Sequence, residues 1–289
     1  MIKFSTCLWF DTQAGEASEF YQSVFKNTKI GKVSRYPGGG EEIHGGTKGQ
    51  ILTVEMEIEG HKVLLLNGGP IFKHTPSMSY LVSCESEAEC DELWKKLSAG
   101  GQVRMGLDKY PWASKYGWTA DKYGVEWQIM NAPAAQKIAP SILFVDERFG
   151  KGEEAVNYYV SMFPGSKVES MHKDEQTKTV AHASFNLGGQ NVRLMEGAGK
   201  HGHQPNESFS ICVHCDTQEE VDKYWDKFTK DGAESQCGWV KDKFGVSWQI
   251  IPNGMDELMS NPKTAQKAMK VMLTMKKLDI NKLRAAANS

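Results

Sequence analysis

The sequence contains no long apolar run and no concentration of charge of one sign. Its 289 residues carry 34 Lys and Arg against 36 Asp and Glu, a formal net charge of −2. These charges are scattered, so neither a basic stripe for nucleic acid nor a polybasic membrane anchor is expected. No stretch reaches the roughly eighteen apolar residues of a membrane span, and the first residues lack the features of a signal peptide. We expect a cytoplasmic protein with no nucleic-acid or membrane partner.

A disulfide framework is not expected either. The six cysteines could pair by number, but a chain of this length can bury its own core and shows no export signal. Cys212 and Cys215 have the spacing of a Cys-x-x-Cys pair. The alternation of SFSICVHC predicts a strand, however, in which these two residues point to opposite faces. We expect six reduced thiols and do not favour a zinc or redox pair.

What the sequence does contain is an internal repeat. The segment GWTADKYGVEWQI, residues 117–129, returns as GWVKDKFGVSWQI, residues 238–250, with nine positions identical. Repetition at this period fits two copies of a small domain rather than a solenoid. We predict one domain over residues 1–132, a second over 138–253, and a C-terminal helical extension over 254–289.

Within each copy, the pattern of a strand, a helix and three further strands occurs twice. Apolar residues at helical spacing follow each opening strand. The second helix of each copy begins with a capping box, Ser86 with Glu89 and Thr217 with Glu220. The copies differ most after this helix, where copy one carries an insertion around GLDKYPWASKY.

These features resemble the vicinal oxygen chelate superfamily, which has the glyoxalase and bleomycin-resistance fold. The segments FYQSVF and LLLNGGPIF and the closing strand D-K-[YF]-G-V-x-W-Q-I are similar to its PhnB-like group, also named after a demethylubiquinone methyltransferase. The resemblance implies an α+β fold of tandem domains, each built from two βαβββ modules forming a cup, plus a C-terminal helix. It also implies a small-molecule ligand, often held with a divalent metal.

The sequence departs from the metal-binding pattern that the resemblance implies. Metal-dependent members place His or Glu in the opening strands and Glu in the closing strand, where this chain has Gln128 and Gln249. The opening segments 3–10 and 140–145 contain no histidine or carboxylate. An amide oxygen is a weaker ligand than a carboxylate and cannot act as a base near neutral pH. We predict no cofactor; a divalent metal is the alternative, with His182, Glu196 and His214 as weak candidate ligands.

Five residues are candidates for contact with a small molecule. Alternation along the closing strand puts Glu126 and Gln128 on the face opposite Trp127, which we expect in the core together with Trp248. The candidates for the cup of the first domain are Asn67, Glu126 and Gln128, and those for the second are Gln249 and Glu196. Asn67 and Glu196 each precede a glycine, so turn formation is an alternative explanation for both.

A glycine pattern near residue 200 gives no support for a nucleotide cofactor. GAGKHG, residues 197–202, fits G-x-G-x-x-G, but Pro205 and a further strand follow where a dinucleotide fold requires a helix. Methyltransferase activity is therefore disfavoured, despite the name that the PhnB-like group carries.

Three functions remain open, and the residues do not decide whether the protein is an enzyme. The first is a small-molecule-binding protein of undetermined ligand, without a tightly bound catalytic metal. The second is a metal-dependent lyase, isomerase or dioxygenase with its site in domain two. In the third, one domain is purely structural and pairs with the other within the chain, which predicts a monomer.

Overall fold

The computed structural model describes residues 2–38, 45–261 and 264–288, without the side chains of Asp256 and Ser260. Across these ranges, no helix is both long enough and apolar enough to span a membrane. The chain forms four βαβββ modules and a helical tail, as the alternation of periodicities predicted. The α+β fold is thereby confirmed.

The first copy comprises modules 1 and 2. Module 1 consists of β1 (Lys3–Phe10), α1 (Ala14–Val24), β2 (Thr28–Arg35), β3 (Ile51–Ile58) and β4 (His61–Asn67). Module 2 consists of β5 (Met78–Cys84), α2 (Glu87–Leu97), β6 (Gln102–Tyr110), β7 (Ala113–Ala120) and β8 (Glu126–Asn131). The insertion in copy one thus forms the long β6–β7 hairpin.

The second copy comprises modules 3 and 4. Module 3 consists of β9 (Ile138–Phe144), a 3₁₀ turn (Asp146–Arg148), α3 (Gly152–Met162), β10 (Lys167–Lys173), β11 (Val180–Leu187) and β12 (Gln190–Glu196). Module 4 consists of β13 (Phe209–Cys215), α4 (Gln218–Thr229), β14 (Ala233–Glu234), β15 (Trp239–Lys241) and β16 (Ser247–Pro252). Its β14–β15 hairpin is much shorter than the β6–β7 hairpin.

Both predicted capping boxes begin their helices. Ser86 Oγ accepts a hydrogen bond from Glu89 N at 3.2 Å, and Thr217 Oγ1 accepts one from Glu220 N at 3.3 Å. The two glutamates reach one residue further back than in the standard box, because they accept from the backbone N–H of Glu85 and Asp216. These contacts satisfy N–H groups that have no partner within the helix.

The tail forms three short helices, α5 (Met255–Ser260), α6 (Ala265–Met272) and α7 (Ile280–Asn288), where the sequence predicted one. Asn261 is extended, with φ −79° and ψ 113°, at the end of α5. It precedes a proline in the sequence, and a residue before proline is disfavoured in the helical region. The apolar stripe of the tail therefore packs as separate turns against Ile251 of module 4.

The modules of one copy lie in different sheets. Sheet A has the order β14-β15-β16-β13-β1-β4-β3-β2, and sheet B has the order β10-β11-β12-β9-β5-β8-β7-β6. Sheet A therefore joins module 1 to module 4 through the antiparallel pair β1–β13, and sheet B joins modules 2 and 3 through β5–β9. Each copy has its two modules, but each continuous sheet combines strands of both copies. This pairing differs from the one expected from the resemblance.

One face of each sheet packs into a shared core with the helices. The core cluster contains buried residues from both sheets, among them Tyr80, Trp127, Phe209 and Trp248, all at most 1% exposed. Tyr80 of sheet B contacts Phe209 of sheet A with ring centroids 4.8 Å apart and hydrogen-bonds to Thr6 of sheet A. The core position predicted for Trp127 and Trp248 is confirmed. We call the faces turned away from this core cup A, on sheet A, and cup B, on sheet B.

The repeated segment serves the core through its aspartate. Asp121 Oδ2 accepts hydrogen bonds from Tyr21 Oη and Trp127 Nε1, both at 2.9 Å, and its Oδ1 accepts from two backbone N–H groups of the following turn. Asp242 has the same four contacts in the second copy. Burial raises the pKa of both carboxyl groups, that of Asp242 to about 6. The repeated residues therefore include those that anchor each closing strand in the core.

Candidate functional site

Gln128 is the centre of a hydrogen-bonded network on the floor of cup B. Its Oε1 accepts from Tyr116 Oη at 2.8 Å, and its Nε2 donates to Ser79 Oγ at 2.9 Å and to Ser141 Oγ at 3.3 Å. The side chain is fully buried. Tyr116 and Ser79 belong to copy one and Ser141 to copy two, so the network crosses the junction between the copies. Burial raises the pKa of Tyr116, which keeps its hydroxyl protonated as a donor near neutral pH.

Glu126 faces the same cup but is already paired. Arg104 of β6 donates from Nη2 to Glu126 Oε1 at 2.7 Å and from Nε at 3.1 Å, while Trp118 Nε1 donates to Oε2 at 2.9 Å. Glu126 is 1% exposed, and a buried carboxylate is retained only with such partners. Its charge is compensated within the protein.

Apolar side chains surround this polar floor. The buried members of the cluster come from both copies and are Leu81, Tyr116, Trp118, Leu143 and Val145. The β6–β7 hairpin adds an aromatic group at the edge, where Tyr110 and Trp112 stack with centroids 5.0 Å apart. Trp112 also contacts Tyr116 edge-on and is 59% exposed. Cup B thus combines an apolar wall with a few placed polar groups, which is the usual composition of a small-molecule site.

Module 3 supplies the other half of cup B. Arg193 on β12 pairs in register with Ser141 of β9 and with Ser184 of β11. His182 lies two residues from Ser184 on the same face of β11. His203, in the segment between β12 and β13, is hydrogen-bonded to Ser77 of copy one at 2.8 Å.

Cup A has a simpler polar floor. Gln249 Nε2 donates to Ser210 Oγ at 2.8 Å, and Cys7 lies beside both groups. Cys7 of β1 pairs with Leu64 of β4 as Ser141 of β9 pairs with Arg193 of β12, so Cys7 and Ser141 occupy equivalent positions in the two sheets. Burial raises the pKa of the Cys7 thiol to about 12 and that of Cys212 further. Neither thiol is a reactive thiolate near neutral pH.

Part of cup A is filled by the protein itself. Trp9 contacts Phe72 and Trp239 edge-on, with centroid distances of 5.1 and 6.0 Å, and its Nε1 donates to Gly69 O at 2.7 Å. A Cβ built at Gly68 would lie 2.2 Å from the Trp9 ring, so only glycine permits this position. Ile251 on the same face is covered by the helical tail.

The structure does not bring Asn67 and Glu196 to the glutamines. Asn67 accepts from Ala14 N at 2.8 Å and donates to Ile51 O at 3.0 Å. Glu196 accepts from three backbone N–H groups, those of Gly150, Gly152 and Val180. Both side chains thus join the last strand of their module to the start of the earlier helix of the same module, a contact between segments far apart in sequence.

The expected grouping of these two residues is corrected by the sheet topology. Asn67 lies in sheet A with Gln249, and Glu196 lies in sheet B with Gln128 and Glu126. The physical cause is the antiparallel pairing of β5 with β9, which completes the sheet of module 2 with strands of copy two.

The residues on either floor are a poor match to a divalent metal. Gln128 uses both amide atoms in hydrogen bonds to neutral hydroxyl groups, and the nearby Glu126 is held by Arg104 and Trp118. Of the weak candidates, His214 lies in sheet A and hydrogen-bonds to Ser5 at 2.7 Å, whereas His182 and Glu196 lie in sheet B. In the described parts of the chain, no three His, Cys, Asp or Glu side chains group closely enough to hold an ion.

Sequence reasoning missed Tyr116, Arg104 and Arg193 as residues of the site. A signal for Arg193 was present, because it interrupts NVRLM between Val192 and Leu194, which are both buried. A charged residue on the opposite face of a buried strand marks that face as polar. Tyr116 ends the segment GLDKYPWASKY around which copy one carries its insertion, and Arg104 lies two residues before that segment; the insertion was therefore also a signal.

Two eight-stranded sheets built from four βαβββ modules, each with a cup, define a protein of the vicinal oxygen chelate fold. More particularly, the chain belongs to the 3-demethylubiquinone-9 3-methyltransferase family, whose model matches residues 2–130 and again residues 136–251. The resemblance to the PhnB-like group that the sequence indicated is thereby confirmed.

The chain was also compared with solved structures. The chain is 36% identical to a PhnB protein from Bacillus cereus, with a TM-score of 0.40, over 44% of this chain and 98% of that one. It also matches glyoxalase I from Zea mays with a TM-score of 0.58 at 11% identity, over 89% of this chain and 96% of that one. At this identity the likeness to glyoxalase I concerns the fold. Comparison with curated proteins gave no match.

Proposed function

We propose that the protein binds a small molecule in cup B and does so without a tightly bound catalytic metal. The observation that carries the proposal is the network around Gln128, which both copies build on the floor of an apolar cup. Such convergence of a few polar groups within an apolar wall is the general pattern of a ligand site. A cytoplasmic location is part of the proposal and is supported by six cysteines that are all free thiols.

Cup B is favoured over cup A because Gln128 hydrogen-bonds to three hydroxyl groups on its floor, whereas Gln249 in cup A donates to Ser210. Leu143 in cup B is equivalent to Trp9 in cup A. Leu143 pairs with Met195 and Trp9 pairs with Leu66, and each of these partners is the last residue but one of its strand. The larger indole of Trp9 occupies space that a ligand would require. The long β6–β7 hairpin also adds a wall that the short β14–β15 hairpin does not provide.

Filling each cup in turn tests this assignment. The neutral fluorescent probe N-phenyl-1-naphthylamine is titrated into the wild type, Leu143→Trp and the matched cup A variant Leu66→Trp. We expect saturable binding that Leu143→Trp weakens at least about tenfold, since it removes space for the apolar probe. Leu66→Trp is expected to change affinity less than about twofold by the same reasoning. Loss of binding in Leu66→Trp alone, or no saturable binding to the wild type, would contradict the proposal.

The metal-dependent alternative is decided by elemental analysis of protein purified without chelator. A lyase, isomerase or dioxygenase in domain two would require a bound ion, and the three contacts from backbone N–H groups to Glu196 leave this carboxylate already engaged. About one equivalent of metal per chain, retained through purification, would support this alternative against our proposal. We expect less than about a tenth of an equivalent.

The sheet topology changes the alternative in which one domain is purely structural. Both copies supply side chains to both cups, so we propose that one cup rather than one domain is structural. Pairing of modules within the chain would replace the homodimer of single-domain proteins, and we therefore expect a monomer in light scattering. An obligate dimer would contradict this part of the proposal.

A further inference from the structure

Arg193 is the one charged residue on the central strands of module 3 that faces cup B, as far as the described residues show. It lies between Val192 and Leu194, both fully buried in the core, so alternation directs its side chain to the opposite face. Its register partners are Ser141 and Ser184. In cup A, Leu64 holds the equivalent position, paired with Cys7 and Glu55.

The guanidinium of Arg193 is not fully used by the protein. Its Nε is buried and lacks a hydrogen-bond partner, and the same is true of His182 Nε2. Glu169 is the carboxylate that acts on Arg193 electrostatically, but it is exposed and accepts a hydrogen bond from Ser184 Oγ at 3.1 Å. Within the described ranges, no carboxylate lies within salt-bridge distance of Arg193. Arg104, in contrast, donates hydrogen bonds to Glu126 from both Nε and Nη2.

A buried N–H donor without a partner is costly for a folded protein, and more so when it belongs to a charged group. Arginine presents its donors in a planar fork that fits a carboxylate, sulfonate or phosphoryl group. An anion in this position would accept from Arg193 Nε, and a neutral His182 with its proton on Nε2 could donate to the same group. The unused N–H groups of both side chains could therefore donate to one oxyanion.

The polar floor connects Arg193 to the aromatic edge of the cup. From Trp112 the path runs through the edge contact to Tyr116, then by hydrogen bonds to Gln128 and Ser141, and Ser141 is the register neighbour of Arg193. Four strand spacings separate β7 from β12, or roughly 19 Å along the sheet. A molecule that contacted both ends would need an acidic group and an extended apolar body.

We propose that cup B binds an amphipathic organic anion, with its acidic group on Arg193 and its apolar or aromatic body against the wall formed by Tyr116, Trp118 and Leu143. This inference rests on the proposed function of cup B and adds the chemical class of the ligand. Cup A, with Leu64 in place of Arg193, does not share this specificity.

Two probes with a common aromatic body test the anion preference. They are 8-anilinonaphthalene-1-sulfonate and the neutral N-phenyl-1-naphthylamine, both followed by fluorescence titration. In the wild type, we expect the sulfonate to bind at least about tenfold more tightly, because hydrogen bonds to charged groups are the strong ones. Arg193→Leu should lower the affinity for the sulfonate about tenfold or more and leave that for the neutral probe within about twofold.

Matched variants separate the possible outcomes. Arg35→Leu removes an exposed arginine outside cup B and should change neither affinity. Arg193→Lys keeps the charge without the planar fork and should retain part of the preference, which guards against a folding defect in Arg193→Leu. Equal affinity for both probes, unchanged in Arg193→Leu, would overturn the anion inference while leaving cup B as a binding site. Binding of neither probe would overturn the proposed function as well.

Discussion

Cup A and cup B are each built from two modules on the same plan, yet only the faces that the two sheets turn toward the core are alike. Toward the core, both sheets present the same tryptophan, the same aspartate anchor and the same tyrosine from the opening helix. Toward the cups, Leu64, Cys7 and Trp9 of cup A are replaced by Arg193, Ser141 and Leu143 in cup B. The two copies thus share the residues on which the fold depends and differ on the faces that are free of that requirement.

The core half of this comparison is tested by Asp121→Asn and Asp242→Asn. Each substitution places an amide nitrogen against hydrogen-bond donors, since each aspartate accepts four hydrogen bonds. We expect each variant to lower the free energy of unfolding by about 3 kcal/mol, and the two by similar amounts. Urea denaturation measures this, with exposed Asp11→Asn as the control, for which a change within about 0.5 kcal/mol is expected. A large effect in one copy only would show that the repeat is not a shared anchor.

The cup half of the comparison is tested by Gln128→Leu and Gln249→Leu. Gln128 hydrogen-bonds to Tyr116, Ser79 and Ser141, which are all buried, whereas Gln249 donates a hydrogen bond to Ser210. Removing the amide should therefore cost about 2 kcal/mol of unfolding free energy in cup B and about 1 kcal/mol in cup A. Denaturation curves of the two variants provide the measurement. Equal losses would indicate that the floors of the cups are equivalent.

A smaller effect is expected from His182→Thr, which gives cup B the residue that cup A has at the matching position, Thr53. Burial lowers the pKa of His182 from 6.5 to about 4, with Arg193 adding to the shift. Because the folded-state pKa is lowered, the stability this group contributes is present above pH 6.5 and is lost as the pH falls toward 4.

Between pH 7 and pH 5, the wild type should therefore lose about 1–2 kcal/mol more unfolding free energy than His182→Thr, since the half-buried ring is partly screened. Chemical denaturation at the two pH values checks this difference. An identical loss in both proteins would place His182 in a solvated environment and contradict its burial in cup B.

Sequence alone predicted the modules, the capped helices and the core position of Trp127 and Trp248, because periodicity and repetition report local structure. It did not predict which modules share a sheet. The opening strand of each βαβββ module is the outer strand of that module, and the chain contains more than one similar module that could pair with it. For this reason Asn67 and Glu196 were grouped with the wrong glutamines.

The candidate site was predicted in part for the same reason. Gln128 and Glu126 followed from alternation along a single strand, and both lie on the floor of cup B. Tyr116 lies on the strand next to that of Gln128, whereas Arg193 belongs to the site only through pairing of β12 with β9 and of β9 with β5, strands that lie far apart in sequence. The place of Arg193 depends on the closure of sheet B.

A crystal structure of the protein bound to 8-anilinonaphthalene-1-sulfonate would show which cup binds a ligand. We predict the sulfonate at Arg193 and the rings against Leu143 on the neighbouring strand of cup B, with no probe over Gln249 in cup A. Density for the probe over Gln249 in cup A, with cup B unchanged, would show that cup A is the binding site and cup B the structural one.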